Sequence, residues 1–188
     1  EAIVEFVTEW ATQTFGDGEK TCNLIVMGGT SAGSETERYE AVCAAVDAKP
    51  QFNVLEKLRV ETSQAAAQAA TETLFAKYQD INLIIYCSSE MGIGGTEYLE
   101  SDSSPVKDYS RLGFFGGGMS EQIAADIRRA AEGTGVFRGV INTGGTGYEM
   151  GLEIGEQIVK MLSDGAYDAE TPVPAIRITV DNLEEYGY

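Results

Sequence analysis

The sequence predicts an α/β fold, a three-layer α/β/α sandwich in which helices cover both faces of a mostly parallel sheet. Helical and strand patterns alternate along the chain, and turn-forming residues separate them. The segment from Asn82 to Cys87 is almost entirely apolar, as expected of a central strand buried on both faces. A length of 188 residues fits one domain with a single substantial core.

The first half of the chain contains three helix and strand pairs, each bounded by a local signal. Gly16-Asp17-Gly18 ends the first helix, and Pro50 follows the second. Thr62-Ser63 caps a third, alanine-rich helix, whose small residues allow close packing. We predict helices over residues 1–15, 35–48 and 64–78, and strands over 21–27, 54–60 and 82–87.

The second half continues the same alternation. A long polar loop runs from Ser101 to Ser110, and Pro172 and Pro174 precede the last strand. The last helix has apolar residues four apart on one face, at Met150, Ile154, Ile158 and Leu162. We predict helices over residues 90–100, 119–131 and 148–163, and strands over 111–115, 136–142 and 175–180.

Composition excludes several classes of function. Thirteen Lys and Arg against thirty Asp and Glu give a net charge of −17, which disfavours nucleic acids and anionic membranes as partners. The chain has no histidine, so it lacks the commonest general base and the commonest metal ligand. Cys22, Cys43 and Cys87 are far apart and favour buried, reduced thiols. We expect no metal and no cofactor.

The segment Gly29-Thr30-Ser31-Ala32-Gly33 matches the G-x-S-x-G pattern of a nucleophile elbow. Without a histidine, Ser31 has no triad base, and no lysine stands where a phosphate-binding P-loop needs one. Two interpretations stay open: the glycines make a tight turn, or the backbone N–H groups of the loop hold an anion at a helix start.

Four loops should meet beyond the carboxyl ends of the strands, where open parallel sheets bind ligands. They are rich in Gly, Ser, Thr and Asn, with aromatic residues Phe114, Phe115 and Tyr148 nearby. Small polar residues beside aromatic rings suit a polar small molecule. The loops are Gly28–Arg38, Ser88–Met91, Phe115–Met119 and Asn142–Tyr148.

In its order of motifs the chain resembles the type I periplasmic sugar-binding family, the fold of ribose-binding proteins and of lactose-repressor-like effector domains. The clearest stretch is Gln64–Leu99, where Lys77-Tyr78-Gln79-Asp80-Ile81 precedes a strand and Ser88-Ser89-Glu90-Met91-Gly92-Ile93-Gly94 follows it. Further similarities are Gly29-Thr30-Ser31 with Glu37-Arg38-Tyr39-Glu40, Leu112-Gly113-Phe114-Phe115-Gly116, and Glu149-Met150-Gly151.

The resemblance implies one lobe of a two-lobed protein that encloses its ligand at a three-stranded hinge. Residues 1–143 then form the second lobe, 144–166 a helix that packs on the first lobe, and 173–180 a closing strand. The resemblance places Glu1 just after the first hinge crossing, so we expect the first lobe's strands to lie outside this sequence. We therefore expect either a fragment of a longer precursor or a homodimer that covers the helix's apolar face.

The resemblance also implies a ligand site that departs from the usual sugar site. Arg38 matches the arginine that typically bonds sugar oxygens, while Ser88 and Ser89 stand where the family usually has Asn and Asp. Phe115 replaces the aspartate of "G-F-D-G". This poorer set of acceptors makes a ligand with a carboxylate, a phosphate or an apolar face a candidate beside a plain sugar. The expected ligand-binding residues are Arg38, Ser31, Ser88, Ser89, Phe115, Asn142 and Thr143.

The resemblance implies the extracytoplasmic solute-binding component of an ABC importer, located in the periplasm or on the cell surface as a lipoprotein. Such a protein delivers its ligand to a permease and does no covalent chemistry. The alternative is a ligand-sensing effector domain of a transcriptional regulator or a membrane sensor, which shares the fold. A carboxylate-only enzyme on a flavodoxin-like sheet is a third class. A signal peptide with a lipid-attachment cysteine before Glu1 favours transport, and a helix-turn-helix favours regulation.

Overall fold

A computed structural model of the chain describes residues 2–143, 147–164 and 173–188. Six strands form one sheet in the order β2-β1-β3-β4-β5-β6, in which β1 to β5 are parallel and β6 pairs antiparallel with β5. This confirms the predicted α/β class. In chain order the elements are α1 (Ala2–Phe15), β1 (Cys22–Gly29), α2 (Ser34–Asp47), β2 (Phe52–Val60), α3 (Gln64–Lys77), β3 (Leu83–Tyr86), α4 (Ser89–Leu99), β4 (Gly113–Gly117), α5 (Glu121–Ala131), β5 (Phe137–Thr143), α6 (Gly147–Asp164), β6 (Ala175–Ile178) and a 3-10 turn (Glu184–Tyr186).

The sheet has a buried core on each face. Because strand side chains alternate between faces, Leu24 and Val26 of β1 pack with α1 and α2, whereas Ile25 and Met27 pack on the opposite face. That opposite face is covered by α3, α4 and α5. The wholly buried β3 lies between the two cores, as its apolar sequence predicts.

Helices α3 and α4 approach each other closely because glycines lie at their contact. A Cβ built on Gly94 would lie 2.1 Å from the backbone oxygen of Gln64, at the start of α3. A Cβ on Gly95 would lie 2.0 Å from the hydroxyl of Tyr86, which is itself 3.0 Å from the hydroxyl of Thr71. The small residues therefore bring α3 against α4 and against the tyrosine beneath them.

Helix α6 stands apart from both cores. It makes little contact with the other helices and strands that the structure describes. Ile154 is 56% exposed and Leu162 is 76% exposed, and Met150 and Ile158 of the predicted stripe are exposed as well. In the described ranges, every helix is too short or too polar to cross a membrane.

A buried acidic cluster joins α4 and α5. Asp126 is 1% exposed, and its Oδ1 accepts a hydrogen bond from Arg129 Nη2 at 2.8 Å. The same nitrogen donates to Glu100 Oε2 at 2.6 Å, while Asp126 Oδ2 and Glu100 Oε1 are buried without a partner. Burial raises the pKa of Asp126 to about 6, and Arg129 offsets this only in part.

Gly94→Ala should destabilise the fold although alanine favours helices. An alanine in an open helix gains about 1 kcal/mol over glycine, but here its Cβ meets backbone at 2.1 Å, which the chain relieves only by moving α3 from α4. We expect a loss of about 2 kcal/mol in the free energy of unfolding. Urea unfolding followed by the fluorescence of Trp10 measures it. Gly155→Ala, where a Cβ meets nothing within 4 Å, is the matched control and should not lower the midpoint.

Asp126→Asn should stabilise the protein at neutral pH and lose that advantage in acid. A carboxyl whose folded pKa is raised from 3.8 to about 6 contributes most stability below about pH 4 and loses it as the pH rises through 6. The variant does not titrate, so its excess stability over the parent should grow between pH 4 and pH 7, by about 2 kcal/mol. Unfolding at both pH values measures this difference. Asp102→Asn, in an exposed loop, removes the same formal charge without touching a buried group and is the matched control for net charge.

Candidate ligand-binding site

The parallel strands bring several loops to one edge of the sheet. β1, β3, β4 and β5 all end there, and β6 begins beside the end of β5, since Thr143 pairs with Ala175. Helix α1 leads into the start of β1 at the opposite edge, so its first turn lies at the edge where the strands end. The first three predicted loops therefore meet at this edge, whereas residues 144–146 of the fourth lie outside the described residues.

A cavity of about 310 Å³ opens at this edge, between α1, α2 and the ends of β3, β4 and β5. This volume is in the range of small-molecule sites. Most of its walls are small or aliphatic. The lining residues are Ala2, Ile3, Arg38, Ala41, Val42, Ile85, Tyr86, Cys87, Gly117, Gly118, Ile141, Thr143 and Ala175.

Arg38 is the charged residue of this cavity and projects from the second turn of α2. Its Nη1 donates to the backbone oxygen of Cys87 at 2.8 Å, which anchors the guanidinium at the end of β3. A Cβ on Gly117 would lie 3.6 Å from Arg38 Nη1, so the glycine leaves space beside the guanidinium. Among the residues that the structure describes, no carboxylate forms an ion pair with Arg38.

Thr143 also lines the cavity, whereas Asn142 does not. The two are neighbours on β5, and successive side chains of a strand point to opposite faces. Ile141 and Thr143 therefore share the face that the cavity opens on, and Asn142 lies on the other.

Ser88 and Ser89 border the cavity without lining it. Ser88 is the N-cap residue of α4, but its side chain makes no capping hydrogen bond. Ser89 lies beside Gly118, where a Cβ would meet its Oγ at 3.4 Å. Gly118, which lines the cavity beside Ser89, has a φ of +92°, a backbone conformation that favours glycine.

Ser31 lies outside the cavity, in an exposed loop tied to the end of β2. Arg59 Nε donates to the oxygen of Gly29 at 2.7 Å and Arg59 Nη2 to that of Ser31 at 3.1 Å. The Ser31 hydroxyl is 3.4 Å from that of Thr62. These bonds hold the loop toward the edge strand, away from Arg38.

Phe115 belongs to the core, which corrects the expectation that its ring faces a ligand. The side chain is fully buried under α1, with ring centroids 5.0 Å from Phe6 and 5.5 Å from Trp10. Phe114 is equally buried on the opposite face, against Tyr86. Only Tyr148, 75% exposed on α6, remains at the surface among the aromatic residues expected near the site.

The thiol in the cavity wall is held in its neutral form. Burial raises the pKa of the Cys87 thiol to about 12, so the thiol is protonated at neutral pH and acts as part of the wall. All three cysteines are free. Within the described ranges no three potential ligand residues are grouped so that they can hold a metal ion.

Sequence reasoning missed the aliphatic walls. Ala41 and Val42 follow Arg38 by three and four positions on α2, and this helical spacing places all three on one face. That spacing was a usable signal. Ile3 and Ala175 carried none, because only the fold brings the first helix and the last strand together.

The chain has the α/β fold of type I periplasmic binding proteins, with five parallel strands, helices on both faces and an antiparallel last strand. The similar solved structures include the myo-inositol binding protein of Caulobacter, which is 17% identical, with a TM-score of 0.77 over 99% of this chain and 60% of that one. A periplasmic ribose ABC transporter protein of Conexibacter woesei is also 17% identical, with a TM-score of 0.76 over 98% of this chain and 58% of its own.

A substrate-binding protein of a sugar ABC transport system from Bordetella parapertussis is 20% identical, with a TM-score of 0.72 over 98% of this chain and 57% of that one. This chain therefore spans about 60% of the length of the structures it resembles. No family profile and no curated protein sequence matches it.

Proposed function

We propose that this chain is the ligand-binding lobe of an extracytoplasmic solute receptor that serves an ABC importer and does no covalent chemistry. The observation that carries the proposal is the cavity at the carboxyl ends of the strands, with Arg38 anchored at its wall, on a fold shared with solute-binding proteins. The similar structures are described as binding myo-inositol, D-tagatose in its pyranose form and D-allose. A small organic solute is therefore the proposed ligand, and a permease the proposed partner.

The exposed face of α6 supports a two-lobed receptor. Burying an aliphatic side chain such as Ile154 is worth about 2 kcal/mol, and several of them on α6 lie open. About two fifths of the length of these similar proteins lies outside the matched part, since this chain covers 60% of them. We propose that a first lobe covers this face in the complete receptor, with a homodimer as the alternative occupant.

Ligand binding is tested by a thermal-shift screen of sugars, sugar acids, polyols and nucleosides. A ligand that binds only the folded state raises the apparent stability by mass action. Gly117→Leu should abolish every shift, because its side chain grows into the space beside Arg38. Ala76→Leu places the same side chain on the exposed face of α3 and should change nothing. Shifts that persist unchanged in Gly117→Leu would place the ligand elsewhere.

The face of α6 is tested by light scattering on the isolated chain. With no first lobe present, the apolar face should drive self-association that increases with concentration. Ile154→Glu combined with Ile158→Glu should return the protein to a monomer without changing its unfolding midpoint, because neither residue belongs to the core clusters. A chain that stays monomeric at all concentrations would contradict the proposal that another surface covers the apolar face of α6.

A further inference from the structure

The walls of the cavity offer few acceptors for a sugar. Among the described lining residues there is no Asp, Glu, Asn or Gln. Tyr86 contributes backbone, because its hydroxyl bonds Thr71 on the opposite face. The backbone oxygen of Cys87 already accepts from Arg38. A sugar hydroxyl buried here without an acceptor costs about 1–3 kcal/mol, and a sugar carries several.

The same walls suit an apolar body. Ile3, Val42, Ile85 and Ile141 surround the cavity, and Ala41 and Ala175 leave room between them. Apolar ligand surface that leaves water against such walls gains about 25 cal/mol per Å². The burial of Phe115 removes an aromatic ring from the wall, so aliphatic contacts dominate.

Arg38 supplies the polar anchor. One of its five N–H donors is used on Cys87, and the rest of the guanidinium has no other partner in the described part of the chain. A guanidinium fork matches a carboxylate with two parallel hydrogen bonds, which are about twice as strong as neutral ones. One cation fits one negative charge, whereas a dianion would leave a charge uncompensated on a protein of net charge −17.

We infer that the cavity takes an organic monocarboxylate with an apolar body, its carboxylate on Arg38 and its body against the aliphatic walls. This inference rests on the proposed function, since it names the ligand class of that same cavity. The specificity of the receptor then comes from aliphatic side chains, which stand where a sugar site needs acceptors for the sugar hydroxyls.

The test compares carboxylates with their own amides on the whole chain. ¹⁵N-labelled protein is titrated with benzoate, cyclohexanecarboxylate, benzamide, cyclohexanecarboxamide, ribose and myo-inositol, and the amide signals of Gly117 and Gly118 and the Arg38 Nε–H signal are followed. This measurement detects binding as weak as millimolar. We expect the carboxylates to bind at least about tenfold more tightly than the matched amides, a difference of about 1.4 kcal/mol, and more tightly than either sugar.

Variants at Arg38 separate charge from shape. Arg38→Gln should bring carboxylate and amide to equal affinity, and Arg38→Lys should keep part of the preference because it retains the charge without the fork. Arg111→Gln removes an exposed arginine that stacks on Phe15, outside the cavity lining, and should leave the ratio unchanged. Circular dichroism confirms that each variant is folded.

Each outcome bears on the inference. A sugar that shifts the same glycine signals and binds more tightly than the carboxylates would overturn the monocarboxylate class while leaving the receptor function intact. A preference for carboxylate that survives in Arg38→Gln would remove Arg38 as the anchor and overturn the inference as well. If neither sugars nor carboxylates move these signals, the ligand class and the proposed function both fall.

Discussion

The parallel alignment of β1 to β5 is the constraint on which the rest of this molecule depends. Since all five strands run the same way, their carboxyl ends meet at one edge, and each following helix must return along a face. The apolar β3 makes this arrangement stable by filling both cores at once. The position of the cavity is a consequence, because the cavity lies at the edge where the strands stop and their helices begin.

A charge at that edge needs a local anchor. Arg38 finds one at Cys87, the residue after β3, whose N–H still donates to the oxygen of Met27 while its own backbone oxygen accepts from the guanidinium. Arg59 does the same on the neighbouring loop, where it binds the oxygens of Gly29 and Ser31. Two arginines thus hold two loops, yet only Arg38 faces the cavity.

The sequence could predict those parts of the fold and site that depend on residues close together along the chain. Helix and strand periodicities gave all twelve main elements, with boundaries a few residues away from those observed. Arg38 and Thr143 line the cavity, and their role in ligand binding stays a prediction. Phe115 did not, because β4 turns its side chain under α1, and the sequence of a strand buried on both faces does not show which face a residue takes. Ser31 lies outside the cavity because Arg59 binds its backbone oxygen. That contact joins positions 28 apart, so no local pattern shows it.

The chain's own path explains why α6 stands alone. β5 ends at Thr143, and β6 begins at Ala175 directly beside it, so the chain leaves the sheet and rejoins it at the same edge. An amphipathic helix on such an excursion cannot reach either core, because α1 to α5 already cover both faces. Its apolar stripe is therefore left exposed in the part of the chain that the structure describes. Thr143 and Ala175, which pair where β5 ends and β6 begins, also line the cavity, so the cavity and the start of this crossing share one edge of the sheet.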